Sequence, residues 1–366
     1  MKLVIDCFKL VKGAGKSIGI YNLAQNLVRE LAKENNDSKN EIIVLGNTYN
    51  NKDFAIDGIS FVEISKNPLN KLTCIFWELF EVSVLAKKMK ADRILFPRGY
   101  ASMLHLTKEY VIIHDMIPFY YHEHYPDYFN KLENFYIMWR LKASAKKADR
   151  VITISEASKQ DIIRYSHTDE SRITVINNGY NPIRKRDYEA AEQEYLIAVT
   201  SALPHKNAEG IVKSYARYCS LVENPISLKI IGISDVMQYG LDQKVTDNIS
   251  CIKYVEKNED LYQLIYGAKA FVFLSLVEGF GFPPIEAMQL ETPVICSDRS
   301  SLPEVSGDAA VYVDPENYEE VADAINRVVT GKIDTHELCK RGSDNVKRFA
   351  WEKSGLKYRE VLFDEI

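Results

Sequence analysis

Glu278 and Glu286 bracket the loop Gly279-Phe280-Gly281-Phe282-Pro283-Pro284, with seven residues between the two carboxylates. An apolar run, residues 270–276, leads into this loop and a helical pattern follows it. Glycines allow backbone to lie against a ligand, and proline suits the first turn of a helix, where its missing N–H is not needed. The helix start then aims free N–H groups and a positive dipole end at one spot, which suits a diphosphate. Dipole attraction is worth only ~0.3–2 kcal/mol, so a leaving diphosphate also calls for a side-chain cation. Both carboxylates can face one ligand from opposite ends of the glycine loop. Taken singly, each also fits a plainer role, as a surface glutamate or a glutamate near a helix start.

A second stretch offers phosphate chemistry near the N-terminus, in Gly13-Ala14-Gly15-Lys16-Ser17-Ile18-Gly19. An ATPase loop needs a glycine five positions before its Gly-Lys-Ser, so that a wrapped ring of amides can cradle the phosphates. That position is Leu10, which excludes the motif. The dinucleotide pattern fails as well, with Ile18 in place of its last glycine. A flexible glycine loop between a strand and a helix remains, serving either as a tight connection or as a ligand loop. His114 closes another strand-like run, where it suits either a hydrogen-bonded structural role or a site.

The elements that must position these groups alternate along the chain, which reads as α/β with mostly parallel sheets. Strands are expected at 3–7, 41–45, 59–64, 93–96, 110–114, 150–154 and 173–176. Amphipathic helices are expected at 20–34, 71–90, 127–147 and 156–165. The polar stretch 181–194 reads as a linker. The pattern then restarts, with strands at 195–200, 227–232, 251–255, 270–276 and 293–297 and helices at 207–220, 258–268, 284–291 and 317–330. Two domains of similar size imply a cleft, and ligands of open α/β sheets sit beyond the carboxyl ends of the strands.

Bulk properties narrow the class. The 366 residues are 46% hydrophobic and 27% charged, an ordinary globular balance of two-domain length. Asp6 and Lys9 interrupt the early apolar run, so no signal peptide is expected, and no stretch reaches the ~18 apolar residues of a membrane span. The six cysteines are scattered singly, which argues against zinc and disulfides and for a reducing cytoplasm. Net charge is −5, divided as +4 over residues 1–182 and −9 over the rest. That excludes a strongly basic nucleic-acid binder. The mildly basic first half, with aromatics and lysines interleaved over 131–150, suits either a solvated helix face or peripheral contact with anionic lipid at the inner face of a membrane.

The segment "EGFGFPPIEAM", continued by "TPVICSDRSSLPEVSGDAAVYVDP", resembles the E-x7-E signature of retaining GT-B glycosyltransferases of family 4, in particular those that assemble bacterial polysaccharides. The resemblance extends to "GKSIGIYNLAQNLVREL", "HDMIPF", "ADRVITISEAS", "VINNGYN", "HKN" and "FAWEKSGLKYREVL". It implies two Rossmann-like domains across a cleft: an acceptor-side domain at 1–182 with a C-terminal helix, 350–366, crossing back to it, and a nucleotide-sugar-binding domain at 183–349. Glu278 would bind donor-sugar hydroxyls, Glu286 the ribose, and the amides of Gly279, Phe280, Gly281 and Phe282 the sugar and phosphates. Lys206 would neutralise the diphosphate and His114 would sit by the sugar. Gly15, Ser17 and Gly19 would line a phosphate or acceptor loop.

Three positions depart from the family's usual pattern. His205 stands where an arginine is common, which makes pH-dependent diphosphate binding an expectation. The first loop has one glycine fewer, and Glu291 replaces a usual glycine. The resemblance implies transfer of a sugar from a UDP- or GDP-sugar to a hydroxyl of a glycan or lipid-linked acceptor, with retention and with neither metal nor cofactor. A non-catalytic paralogue acting as a scaffold and a GT-B sugar-nucleotide epimerase are the alternatives.

Overall fold

The computed structural model describes residues 1–13, 18–33, 35, 40–183, 188 and 194–363. The chain forms two compact units, Met1–Gly179 with Phe349–Ile366, and Tyr180–Arg348.

In the first unit, continuous apolar runs such as Leu3-Val4-Ile5 and Ile42-Ile43-Val44-Leu45 make strands buried on both faces, as parallel sheets require. The strands are β1 (Lys2–Asp6), β2 (Glu41–Gly46), β3 (Ser60–Glu63), β4 (Arg93–Phe96), β5 (Lys108–Ile112), β6 (Arg150–Thr153) and β7 (Ile173–Val175). All pair in parallel, in the order β3-β2-β1-β4-β5-β6-β7. The chain therefore winds outward from β1 in one direction and from β4 in the other, which opens a crevice between the carboxyl ends of those two strands. Val4, Phe8, Ile94, Phe96 and Val111 belong to the core. The terminal helix Trp351–Phe363 packs on the helix Ile18–Lys33, and Arg93 donates from Nη1 to the Leu362 carbonyl at 2.6 Å.

The second unit repeats the design with β8 (Tyr195–Val199), β9 (Ser227–Ile231), β10 (Ile249–Ile252), β11 (Ala270–Phe273), β12 (Val294–Ser297) and β13 (Val311–Val313). Their order is β10-β9-β8-β11-β12-β13, again wholly parallel, with the reversal between β8 and β11.

Several elements differ from the sequence pattern. The single helix expected over 71–90 is broken into Lys71–Phe76, a π-helical turn Trp77–Glu81 and Val82–Lys88. The wider turn points the consecutive Trp77 and Glu78 side chains inward, where both are buried, which a regular 3.6-residue period does not predict. The helix expected from 127 starts at Lys131, because the Asn130 side chain accepts from the amides of Leu132 and Glu133. Among the described helices of eight residues or more, two were not expected. Ile117–His124 is aromatic with weak periodicity, and Thr335–Asn345 is mostly polar.

Candidate active site

The groups singled out in the second half converge at the reversal of the second sheet. Beyond β8 the chain makes a tight turn, Pro204–Lys206, then enters the helix Ala208–Leu221 through Asn207. Asn207 adopts a left-handed φ of 51°, which asparagine tolerates better than most residues. Its side chain accepts from the Gly210 amide and donates to the carbonyls of Leu274 and Pro315, at 3.1 and 3.0 Å. Thr200 Oγ1 donates to the Lys206 carbonyl at 2.9 Å, and the Leu276 amide donates to the His205 carbonyl at 2.8 Å. The lysine turn is thus stitched to the segment leaving β11.

That stitching brings Lys206 Nζ to 2.6 Å from Glu278 Oε1, with both side chains largely buried. Ser301 Oγ lies 3.0 and 2.8 Å from the carbonyls of Glu278 and Phe280, and Ser300 Oγ donates to the Glu278 carbonyl at 2.9 Å. Gly281 starts the helix Phe282–Gln289 with a φ of 104°, and a Cβ there would lie 2.6 Å from Leu302 Cδ2. Pro283 and Pro284 remove two N–H groups from the helix start. The amides of Gly281 and Phe282 remain, with no acceptor among the described residues. Gly279 and Phe280 are buried beside them.

Glu286, one turn into this helix, is half-buried, and its carboxylate has no hydrogen-bond or ionic partner among the described residues. Burial raises its carboxyl above the usual range. A carboxylate left in that state has spare capacity for hydroxyl donors.

His205 departs from the expected pH-dependent cation. It is buried, and burial together with the neighbouring Lys206 lowers its ring to about 4, so it is neutral near pH 7. The charge at this turn comes from Lys206 alone.

His114 belongs to the first unit, two residues beyond β5. Its Nε2 lies 2.8 Å from the Pro97 carbonyl, and a carbonyl can only accept, so Nε2 carries the hydrogen and Nδ1 is the free acceptor. Burial lowers the ring to about 4, which keeps it neutral. Gly19 lies in the first turn of the helix Ile18–Lys33, with open space where a Cβ would stand. Gly15 and Ser17 lie outside the described residues.

Ser300, Ser301, Asn207 and Thr200 hold the site together and were not legible as site residues. Asn207 alone carried a signal, standing as a helix cap directly after the lysine. Among the described residues no three His, Cys, Asp or Glu side chains converge as a metal site, and no helix is long and apolar enough to cross a membrane.

Two doubly wound parallel sheets, one with a cation, two carboxylates and a glycine-started helix at its reversal, define a nucleotide-handling enzyme of the double-Rossmann type. Comparison with known proteins narrows this. The Glycosyltransferase Family 4 model matches residues 19–184, and the Glycosyl transferases group 1 model matches residues 181–349. The O-antigen chain mannosyltransferase RfbU of Salmonella typhimurium is 33% identical over 239 residues, spanning 61% of this chain and 64% of that protein. The O-antigen chain mannosyltransferase B of Escherichia coli is 28% identical over 297 residues, 72% of this chain and 77% of that protein. In fold, the sucrose-phosphate synthase of Thermosynechococcus elongatus superposes over the full length of both chains with a TM-score of 0.70 at 18% identity. The chain belongs to the family 4 glycosyltransferases, of GT-B architecture.

Proposed function

We propose that the protein transfers a hexose, mannose in the first instance, from a UDP- or GDP-sugar to a hydroxyl of a glycan or lipid-linked acceptor. The sugar is taken from the two mannosyltransferase relatives. The observation that carries the reading is the Lys206–Glu278 pair at 2.6 Å, with the unpartnered Glu286 one turn into the adjoining helix. The lysine can neutralise a diphosphate while its partner binds sugar hydroxyls, and Glu286 is free for the ribose.

Departure of the diphosphate leaves charge that Lys206 and the amides of Gly281 and Phe282 stabilise, and one such preorganised donor is worth roughly 10²–10³ in rate. Attack on the same face, with the departing phosphate taking the hydroxyl proton, gives retention and needs no carboxylate nucleophile. His114, through Nδ1, accepts a hydrogen bond from the sugar. Metal is not required in this scheme. Strong loss of transfer in EDTA, restored by Mn²⁺, would refute that part.

The test is nucleoside diphosphate release from UDP-, GDP-, dTDP- and ADP-sugars, with Glu278→Ala as control and NMR of the product's anomeric centre. Release from one donor with an α-linked product supports the reading. An altered sugar nucleotide formed without any acceptor supports an epimerase instead, and failure to bind any nucleotide supports a scaffold.

A peripheral membrane contact is part of the proposal. Leu132 and Phe135, on the helix Lys131–Lys147, are 82% and 66% exposed next to exposed Lys131, with exposed Lys146 and Lys147 roughly 20 Å further along the same helix. Lys71 reaches Glu133 at 3.6 Å, which sets the exposed Leu72 and Phe76 against the same face. Exposed apolar side chains on a helix that carries lysines at both ends suit an anionic bilayer. Co-sedimentation with anionic vesicles that survives both Phe135→Glu and Lys146→Glu/Lys147→Glu would remove this part.

A further inference from the structure

The crevice between the carboxyl ends of β1 and β4 holds a second constellation, wholly within the first unit. Asp6 ends β1 and Arg98 follows β4 by two residues. The π-helical turn Trp77–Glu81 carries Trp77 and Glu78 in from above. Glu78 is buried and takes both available cations, with Lys9 Nζ at 3.2 Å and Arg98 Nη1 at 3.2 Å from its Oε1. Asp6 is also buried, at 7% exposure, and makes no ion pair among the described residues. Its Oδ1 accepts from Trp77 Nε1 at 3.0 Å and from the Phe8 amide at 3.2 Å. Its Oδ2 has no partner among the described residues. Pro97, next to Arg98, accepts from His114, so this crevice adjoins the histidine assigned to the sugar.

A buried carboxylate without a cation is costly. If the two N–H donors were all that Asp6 had to hold, asparagine would accept from both through its own oxygen without the charge. A π-helical turn also carries a cost and is found frequently at functional sites. Among the described residues, two formal negative charges here face two positive ones. The balance favours neither a metal ion nor a phosphate, and a neutral polyol fits best.

We propose that Asp6 Oδ2 accepts the hydrogen bond of the acceptor's attacking hydroxyl, while Arg98 and Lys9 donate to that sugar's other oxygens. This rests on the reading of the chain as a sugar transferase. The carboxylate orients the hydroxyl and keeps no proton, which leaves with the departing phosphate. Around Asp6 the charged or titratable neighbours are Glu78 on the π turn, Arg98 after β4, Lys9 after β1, and the thiols of Cys7 and Cys74. Burial, and then the charge of Glu78, raise the Asp6 carboxyl to about 6, against the lowering effect of Trp77, Phe8 and Arg98. Acceptor use therefore falls as pH drops through 6, whereas His114, at about 4, stays neutral across that window.

The test compares the full chain with its Asp6→Asn variant, using methyl α-mannoside and octyl α-mannoside as acceptor probes. The variant is expected to bind nucleoside diphosphate within about twofold of wild type, since that site lies on the other unit. Its acceptor kcat/KM should fall roughly 100-fold, the scale of a misoriented nucleophile, and should lose the acid limb near pH 6 that wild type shows. Acceptor kcat/KM and pH profile both unchanged in a folded variant would overturn the inference and leave the proposed function standing. Should the variant not fold, the wild-type profile decides: acceptor KM flat between about pH 5 and 7.5 overturns the inference, given a carboxyl near 6. A wild type that binds nucleotide yet transfers to neither probe overturns the proposed function and this inference together.

Discussion

Lys206→Met removes the cation paired with Glu278 at the donor site while keeping the bulk of its stem. Lys206 Nζ sits 2.6 Å from Glu278 Oε1, and the exposures of the two side chains are 25% and 11%. Loss of a preorganised donor at a developing anion costs roughly 10²–10³ in kcat, about 2.7–4 kcal/mol. The folded protein should lose about 1–3 kcal/mol as well, because Glu278 is left largely buried without its charge-assisted partner. Glu278→Gln on its own removes the same ion pair from the other side. The two substitutions should therefore be non-additive in stability, with a coupling of about 1–3 kcal/mol in a double-mutant cycle, as expected for residues in direct contact. Nucleoside diphosphate release under saturating donor reads the first effect, and denaturant melts of the four proteins read the second. A Lys206→Met enzyme within fivefold of wild-type kcat, with unchanged nucleotide affinity, would refute the role of this lysine. Additive melts would refute the pair as a structural unit.

Other expectations follow from single positions. Glu286→Gln should weaken nucleoside diphosphate binding by about tenfold, the worth of one charge-assisted hydrogen bond, and should relieve the desolvation that raises its carboxyl; calorimetry reads the affinity. Gly281→Ala forces an alanine to a φ of 104° against Leu302, and a loss of about 1–3 kcal/mol is expected in thermal melts. Glu291, which stands where the family usually has glycine, is held at a φ of 56°. Glu291→Gly should be neutral to stabilising by up to about 1 kcal/mol, relief of the left-handed strain outweighing glycine's entropy, and a clear loss of stability would contradict this. Asp6→Asn should stabilise the fold near pH 8 and not near pH 4. The folded carboxyl is raised from 3.8 to about 6, so its favourable contribution is fully present below 3.8 and is lost as pH rises through 6. Escaping that loss is worth up to about 3 kcal/mol, and a variant less stable than wild type at pH 8 would assign the carboxylate a structural role.

The fold was largely legible because its signals are strong and local. Apolar runs of four to six residues alternating with helical patterns require parallel strands with crossover helices, and the β11 loop with its glycines and prolines marks a helix start without any alignment. The carboxylates at 278 and 286, each open to a plainer role when taken singly, were placed in a site by the resemblance of that loop to the family signature. What joins Glu278 to Lys206 was not legible. The 2.6 Å contact depends on Asn207 bridging to the carbonyls of Leu274 and Pro315, residues 67 and 108 positions away. No periodicity encodes such a bridge.

The charge state of His205 was only partly legible. Standing where an arginine is common, it made pH-dependent diphosphate binding an expectation. Folding buries it next to Lys206 in the chain, and both effects push its proton off. Asp6 and Glu78 illustrate the remaining limit. Asp6 served in the sequence only as an interruption of an apolar run, and Glu78 as one polar position in an expected regular helix. They come together at the π-helical turn, which buries Trp77 against Asp6 and Glu78 against Lys9 and Arg98. A site that depends on a broken period is invisible to reasoning from period. The break at Trp77–Glu81 marks the place where the first unit holds a carboxylate oxygen with no partner among the described residues, at the reversal of its sheet, where open α/β folds bind ligands.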